Sequence, residues 1–266
     1  MKPAPFEYHA PTEVAEAVRL LAAYGDEARP LAGGQSLVPL LNLRLARPKA
    51  IIDLNRIQSL AYHRLDGDAL VVGALCRQRD LERDGQLLER CAAIADALPH
   101  IGHLGIRNRG TVVGSLAHAD PAAEWPVLAL LFDATLVAEG PGGRREIAVG
   151  AFFQGAFTTA LQPAELLVEA RFALPPAGAG TAFVEVARRH GDFALGAAAA
   201  LVDGPDVRLA LGGFDSVPRW LPPDPEAAPS AVNPTGDIHA PEGYRRRLAG
   251  LLARRALDLA AERARG

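Results

Sequence analysis

Residues 107–121 read Arg-Asn-Arg-Gly-Thr-Val-Val-Gly-Ser-Leu-Ala-His-Ala-Asp-Pro, and they decide how the rest of the chain is interpreted. Residues 107–115 include Arg107, Gly110, Thr111, Gly114 and Ser115. Their backbone N–H groups, hydroxyls and guanidinium groups can converge on one anionic group. The composition therefore predicts a loop that binds phosphate. The alternative is an ordinary glycine-containing turn whose arginines are solvated.

A helix is predicted directly after this loop. Asp120 is a candidate N-cap, Pro121 suits the first helical position, and residues 122–132 are largely apolar. Unpaired backbone N–H groups at such a transition from strand to helix attract phosphate. His118 and Asp120 lack a third ligand at suitable spacing, so we expect them to have a local structural role rather than to bind a metal.

A second segment of similar composition is Ala32-Gly33-Gly34-Gln35-Ser36-Leu37. Its paired glycines permit positive φ and a close approach of backbone to ligand, and Ser36 can cap a helix predicted over residues 37–45. A strand-to-helix turn with a serine cap is the alternative interpretation.

Two such loops, roughly 75 residues apart, can hold a pyrophosphate from both sides, because each supplies N–H and hydroxyl donors. Dinucleotides are the common pyrophosphate ligands. The sequence contains neither G-x-G-x-x-G nor G-x-x-x-x-G-K-[ST], which mark the usual NAD and ATP sites. The pattern therefore indicates a dinucleotide that is held by another architecture.

The composition limits the possible classes of protein. The 266 residues suffice for one large or two modest domains, and 49% hydrophobic with 22% charged residues is ordinary for a globular protein. A net charge of −3 argues against a general nucleic-acid or membrane-surface binder, and no apolar run is long enough for a membrane span. We expect a cytoplasmic protein. Cys76 and Cys91 alone cannot hold an iron–sulfur cluster, so any such cluster belongs to a partner.

The order of predicted elements indicates an α+β fold. Residues 1–55 predict a small α/β layer, with strands at 6–8 and 50–54 and a helix from 12 to 24 that Thr12 caps. Hairpins at 60–73 and 134–149 flank a helix over 86–100. Strands over 165–174, 181–189, 196–203 and 207–212 predict an antiparallel sheet, and a helix follows over 241–263. That helix is expected to bury Tyr244 and Leu251 and to expose its arginines, among them Arg245.

Three groups of motifs resemble the FAD-binding medium subunit of the molybdenum hydroxylases, the group that includes carbon monoxide dehydrogenase and xanthine dehydrogenase. The first two are residues 31–39 and residues 106–121. The third is Glu-Val-Ala-Arg-Arg-His-Gly-Asp-Phe-Ala at 185–194, with Leu-Gly-Gly at 211–213 and Asp-Ile-His at 237–239. The resemblance implies an FAD-binding (PCMH-type) domain over 1–165, with subdomains 1–55 and 56–165, and a smaller C-terminal domain of antiparallel sheet plus helix over 166–266.

The resemblance also implies a three-part enzyme. A large subunit with a molybdenum cofactor oxidises the substrate, a small subunit with two [2Fe–2S] clusters carries the electrons, and the FAD subunit passes them to an external acceptor such as NAD, a quinone or oxygen. By the same resemblance, 32–36 and 111–115 wrap the FAD pyrophosphate, Asp120 lies near the cofactor, and Asp192 and Phe193 approach the isoalloxazine. The flavin performs the redox chemistry, so no general base is expected.

Two departures from the family pattern stand out. Val113 replaces the first glycine of the usual Thr-Ile-Gly-Gly-Ser, and a β-branched side chain there is expected to resist positive φ and to obstruct the approach to the ligand. The stretch 217–237 is shorter than usual. Val113 keeps open the hypothesis of a non-enzymatic scaffold or assembly subunit that has lost FAD. A self-contained flavin oxidase of the same superfamily is a second alternative.

Overall fold

The computed structural model describes residues 2–265. Its strands are β1 Glu7–His9, β2 Ala28–Leu31, β3 Ala50–Asp53, β4 His63–Asp66, β5 Ala69–Gly73, β6 Thr135–Gly140, β7 Gly143–Ala148, β8 Phe153–Gly155, β9 Thr158–Thr159, β10 Leu166–Ala173, β11 Gly180–Ala187, β12 Ala194–Asp203, β13 Asp206–Gly212 and β14 Arg219–Leu221. Its α-helices are α1 Val14–Tyr24, α2 Leu37–Asn42, α3 Gln78–Glu82, α4 Gly85–Arg90, α5 Ala92–Ala97, α6 Leu104–Arg107, α7 Val112–His118, α8 Glu124–Leu131, α9 Val149–Phe152, α10 Ala228–Ala231 and α11 Glu242–Arg263. This confirms the α+β class.

The N-terminal layer is a three-stranded parallel sheet in the order β1-β3-β2. Helix α1 packs on it through Ala17, Val18 and Leu21, which recur at helical spacing and are all buried. Glu13 rather than Thr12 is the N-cap of α1, so that detail of the sequence interpretation was wrong. Because the strands are parallel, β2 and β3 end at the same edge of the sheet.

The second subdomain is a five-stranded antiparallel sheet in the order β4-β5-β10-β6-β7. Its middle strand, β10, pairs with both β5 and β6. The regular spacing of strands along the chain predicts that residues 165–174 belong to the C-terminal sheet. This prediction was wrong, because β10 pairs with β5 and β6, which are distant from it in sequence. The expected domain boundary at 165/166 thus falls just before a strand that completes the first domain.

The helix expected over residues 86–100 is divided into α4 and α5. The break is at Cys91, whose backbone has φ −136° and ψ 89°. Next to it, the backbone N–H of Ala93 donates to Thr181 Oγ1 at 3.1 Å, so the start of α5 bonds to β11 instead of continuing α4. Cys91 is fully buried, and burial raises the pKa of its thiol to about 12, so it packs as an uncharged side chain.

The C-terminal domain is an antiparallel sheet in the order β11-β12-β13-β14, covered by α11. Helix α11 packs close because its inner face is rich in alanine and because Gly180 leaves room that a Cβ would take from the Ala260 carbonyl. Tyr244 and Leu251 are exposed, contrary to expectation. Arg245 is buried instead, and it donates to Leu195 O at 2.8 Å and Asp237 Oδ2 at 2.7 Å.

The C-terminal domain packs against α5 and α8 of the first domain. Arg263 at the end of α11 makes a bidentate ion pair with Asp96 of α5, at 2.6 and 3.0 Å. The N–H of Gly213 donates to Pro121 O at 2.8 Å, just before α8. Among the helices of residues 2–265, none combines the length and apolar character needed to cross a bilayer.

Candidate functional site

The two glycine-containing segments meet in the folded chain. Gly33 is buried against the second segment, and a Cβ added there would overlap the carbonyl oxygen of Arg109 and lie 2.7 Å from Gly110 Cα. A Cβ on Gly114 would lie 3.9 Å from Ala32 Cβ. The backbones of the two segments are therefore in contact, as a ligand held from both sides requires. We call residues 32–37 the first loop and residues 107–115 the second loop.

The first loop depends on a glycine conformation. Gly34 has φ +75°, and its carbonyl accepts the N–H of Val38 at 3.0 Å to open helix α2. The side chain of Gln35 donates to Gly33 O at 3.1 Å. Ser36 occupies the N-cap position, but its hydroxyl makes no capping bond and is exposed. The expected serine cap is thus only positional, and the hydroxyl is free to face a ligand.

The second loop contains the start of a helix that the sequence interpretation missed. Thr111 is the N-cap of α7, and its Oγ1 accepts the N–H of Gly114 at 3.1 Å. The N–H groups of Val112 and Val113 open the helix and have no acceptor within it. The hydroxyl of Ser115 is half-buried in the first turn. Helix α8 instead starts at Glu124 with Ala123 as N-cap, and Asp120 Oδ1 accepts the N–H of Ala122 at 2.9 Å in a turn before it, so Asp120 is not the N-cap.

Val113 does not obstruct the site. It lies within α7, where its backbone is helical, and its side chain is 2% exposed within the apolar core. The expectation of strained φ at this position was wrong, because the family's glycine position coincides here with a helical residue that faces the interior.

Arg107 has a structural role instead of the expected anion-binding one. Its guanidinium donates to both carboxylate oxygens of Glu82, at 3.0 and 3.1 Å, and to the carbonyls of Ile101 and Gly102. Burial raises the pKa of Glu82, but the hydrogen bonds from Arg107 and Arg79 outweigh it and lower that pKa overall. The ion pair fixes the turn that precedes the second loop.

Sequence reasoning missed two polar residues between the loops. Asn55 Nδ2 donates to Ala32 O at 2.9 Å, and Arg77 Nη1 donates to Arg109 O at 2.6 Å. Arg77 Nη2 joins the two by donating to Asn55 Oδ1 at 2.5 Å. One signal was available for Asn55, because it follows β3 at the edge where the parallel strands end, which is where ligands bind in parallel sheets.

The residues present fit a phosphate-bearing ligand. Gly33 has no room for a side chain, and Gly34 has a left-handed backbone conformation. The helix start in the second loop carries N–H groups that can donate hydrogen bonds to an anion. Gln78 is 4% exposed, and across residues 2–265 no donor reaches its buried Oε1, which lies beneath Gly110. That oxygen is covered by the backbone of the second loop and is therefore not part of the surface that a ligand would contact.

The other expected site residues lie where the two domains meet. Gly191 has φ +81°, and a Cβ there would lie 2.9 Å from Gly102 O and from the ring of His103. This contact holds the loop that carries Asp192, which pairs with Arg188 at 3.2 Å, and Phe193, whose ring is 71% exposed. The described contacts thus join this loop to the turn before the second loop, and they leave the Phe193 ring open to a partner.

A buried titratable cluster lies at the same domain junction. His100 Nδ1 is 3.3 Å from Glu185 Oε1, and the hydrogen bond to Glu185 raises the pKa of His100 although burial opposes it. Glu124 is 7% exposed, and burial, followed by the nearby Glu185, raises its pKa to about 8. His100 therefore has an acidic partner in the second domain.

Comparison with known proteins agrees with this geometry. Residues 4–175 match the family described as FAD binding domain in molybdopterin dehydrogenase. The chain is 37% identical to the 6-hydroxypseudooxynicotine dehydrogenase complex subunit alpha of Paenarthrobacter nicotinovorans, over 100% of this chain and 97% of that protein. It is 35% identical to the carbon monoxide dehydrogenase medium chain of Afipia carboxidovorans, over 100% of both chains.

The fold is shared with a solved relative. Carbon monoxide dehydrogenase from Hydrogenophaga pseudoflava, in a form that lacks the Mo-pyranopterin moiety of its cofactor, contains a chain that superposes with a TM-score of 0.95. The match has 34% sequence identity and covers 99% of each chain. The likeness therefore extends through both domains.

Proposed function

The chain belongs to the family of FAD-binding medium subunits of molybdenum hydroxylase complexes, and from that premise we propose that it accepts electrons from [2Fe–2S] clusters of a small subunit and passes them through FAD to an external acceptor. It is an oxidoreductase subunit with FAD as its cofactor. The observation that carries the proposal is the contact of Gly33 with Arg109 and Gly110, which brings two phosphate-binding loops to one place.

In this proposal the two loops hold the pyrophosphate. The contributing residues would be Ala32, Gly33, Gly34, Gln35, Ser36, Leu37, Gly110, Thr111, Gly114 and Ser115. Bare backbone at the glycines permits close approach, and the N–H groups and the Ser36 and Ser115 hydroxyls supply donors. Bound FAD supplies the redox chemistry, and the protein supplies placement and electrostatics.

We assign Phe193 to the isoalloxazine end of the cofactor. Its ring is exposed although it is large and apolar, and the packing of Gly191 fixes the loop beneath it. An aromatic ring in that position can cover one face of the flavin and exclude water. Asp192 and Asp120 would lie beside it and supply fixed carboxylates at the domain junction.

The cysteines of this chain support the proposal that the iron–sulfur clusters lie on a partner subunit. Cys76 and Cys91 are its only two, both are buried, and burial raises the pKa of each thiol to about 12. An iron–sulfur cluster requires thiolate ligands in greater number, so it would lie on a partner. The relatives' names specify different substrates at similar identity, which favours a large molybdenum subunit as the site of substrate choice.

The visible spectrum of the purified complex tests the proposal. Flavin bands at about 370 and 450 nm, with iron and a large molybdenum chain that co-purify, are the expected result. Addition of substrate should bleach the flavin bands only while the iron–sulfur chain is present. A colourless chain that takes up no added FAD would support the scaffold hypothesis, and substrate turnover by the isolated chain would support the self-contained oxidase.

A further inference from the structure

The polar residues between the two loops carry an inference that rests on the proposed function. We propose that Asn55 and Arg77 are positioning residues, which hold the two loops at the separation that the FAD pyrophosphate requires. Neither residue belongs to either loop. We call the pair the interloop clasp.

The first half of the clasp is an amide whose orientation is fixed by its partners. Asn55 Nδ2 donates to Ala32 O at 2.9 Å and to Asp53 Oδ1 at 2.6 Å, and Asn55 Oδ1 accepts from Arg77 at 2.5 Å. The amide nitrogen therefore faces two acceptors and the amide oxygen faces one donor. A flipped amide would lose all three hydrogen bonds, so the side chain has one stable position.

The second half holds the other loop at the point of contact. Arg77 Nη1 donates at 2.6 Å to Arg109 O, which is the atom that a Cβ on Gly33 would overlap. Arg77 also forms an antiparallel bridge with Thr111, the cap of α7. The next residue, Gln78, donates its N–H to Gly110 O at 2.9 Å. The clasp thus controls the carbonyl against which the first loop rests.

The clasp is anchored on the central strand of the parallel sheet. Asn55 lies two residues beyond the end of β3, and its N–H donates to Asp53 Oδ1 at 3.0 Å. Tyr8 donates to the other oxygen of Asp53 at 2.5 Å. Burial raises the pKa of Asp53, but the hydrogen bonds from Tyr8 and Asn55 outweigh it and lower the pKa overall, so Asp53 is an ionised acceptor at neutral pH.

Two arginines and two acids lie close together at the clasp. Burial and then the nearby Arg109 lower the pKa of Arg77, which means that two guanidinium groups lie close together. Asp53 and Asp80 are the acids that face Arg77. The two carboxylates offset the repulsion between the two guanidinium groups, because opposite charges attract at short range.

The experiment compares FAD affinity and loop protection in the full chain. Asn55→Ala, Arg77→Lys and Arg77→Met are prepared, each is freed of FAD, and FAD is titrated back by flavin fluorescence. We expect the dissociation constant to rise about 10- to 100-fold in Asn55→Ala and in Arg77→Lys, the effect of losing partly buried hydrogen bonds that involve a charged group. Lysine keeps the charge of Arg77 but lacks the planar fork that reaches two acceptors.

Arg145→Met is the matched control, since Arg145 also joins two acceptors, Glu165 and the Ala160 carbonyl, in the same domain. Hydrogen exchange of the FAD-free chains is the second measurement. The amides of residues 32–37 and 107–115 should exchange faster than in wild type in Asn55→Ala and Arg77→Lys. In the Arg145→Met control they should exchange at the wild-type rate. This measurement requires no cofactor and so tests the clasp even if the proposed function is wrong.

The outcomes separate the two proposals. A wild-type chain that binds no FAD contradicts the proposed function, and the exchange data then decide on the clasp alone. Wild-type affinity in Arg77→Lys, with loss in Arg77→Met, would mean that charge rather than loop separation matters, and it would overturn the clasp. Unchanged exchange in both loops of Asn55→Ala would overturn it as well.

Discussion

The two loops present their backbone N–H groups by different means. The first relies on a backbone conformation, since Gly34 has φ +75° and the Ser36 hydroxyl makes no cap. The second relies on a helix start, since Thr111 caps α7 through the N–H of Gly114, and the N–H groups of Val112 and Val113 have no acceptor within the helix. Gly34 provides dihedral freedom in the first loop, whereas Gly33 and Gly114 provide space for the backbone and side-chain atoms next to them. The comparison teaches that similar glycine-serine patterns can carry the same ligand chemistry on different local structures.

The largest effect on FAD affinity is expected at the backbone contact between the two loops. Gly33→Ala would place a Cβ against the Arg109 carbonyl and Gly110 Cα, so both loops must separate. We expect FAD affinity to fall about 100-fold or more, or about 3 kcal/mol, as for other overpacked sites. Titration of the FAD-free chain measures it. Gly142→Ala is the control, because a Cβ there meets nothing within 4 Å, and equal affinity in the two variants would contradict the loop contact.

The next prediction contrasts the pH dependence of two regions. The contact between the loops is made of backbone atoms, whereas the domain junction contains titratable side chains. The pKa of Glu124 is raised from 4.5 to about 8, with Glu185, His100 and Asp120 as its charged neighbours. Between these values the folded chain binds a proton that the unfolded chain has lost, so stability falls as pH rises. Glu124→Gln lacks this titration. Its stability relative to wild type should rise by about 2 to 3 kcal/mol from pH 6 to pH 8.

Urea unfolding of both proteins at the two pH values measures this difference. Glu89→Gln removes an exposed carboxylate and should keep a constant difference from wild type. Parallel pH dependence of wild type and Glu124→Gln would contradict the raised pKa. FAD affinity should change little over the same range if backbone groups hold the pyrophosphate.

A smaller effect distinguishes the first loop from the second. Gly34→Ala keeps the volume small but forces a Cβ into the left-handed region, at a cost of about 1 to 2 kcal/mol. FAD affinity should fall about tenfold, and Gly34→Asn should lose less because asparagine adopts this region more readily. Equal losses for alanine and asparagine would show that space near Leu31 and Val38, and not φ, limits the position.

The parts of the site that depend on residues close together in the chain could be predicted from the sequence. Paired glycines, a serine before an apolar helix and a strand on either side identified the first loop and its α/β layer. The resemblance of motifs identified the family and FAD. The cap by Thr111 was also readable, but a helix beginning directly after it competed with the stronger Asp-Pro signal at residues 120–121.

The errors concern partners that are distant in sequence. Arg107, expected to bind an anion, has its guanidinium bound to Glu82. Arg245, expected to be solvated, is bound to Asp237 and the Leu195 carbonyl. Strand β10 joined the sheet of the first domain because β5 and β6 supplied free edges. Asn55 and Arg77 carry no motif, and only the folded chain brings them between the loops.

The last prediction tests the spatial role of glycine in the second loop. Gly114 lies in the first turn of α7, where alanine is normally favoured over glycine by about 1 kcal/mol. A Cβ at Gly114 would lie 2.5 Å from Thr111 Oγ1, so Gly114→Ala should instead destabilise the chain by displacing the cap. In Thr111→Ala that oxygen is absent, and adding Gly114→Ala should then be neutral or stabilising. A double-mutant cycle by urea unfolding should give a coupling of about 1 kcal/mol or more, whereas additive effects would show that the cap and the glycine act independently.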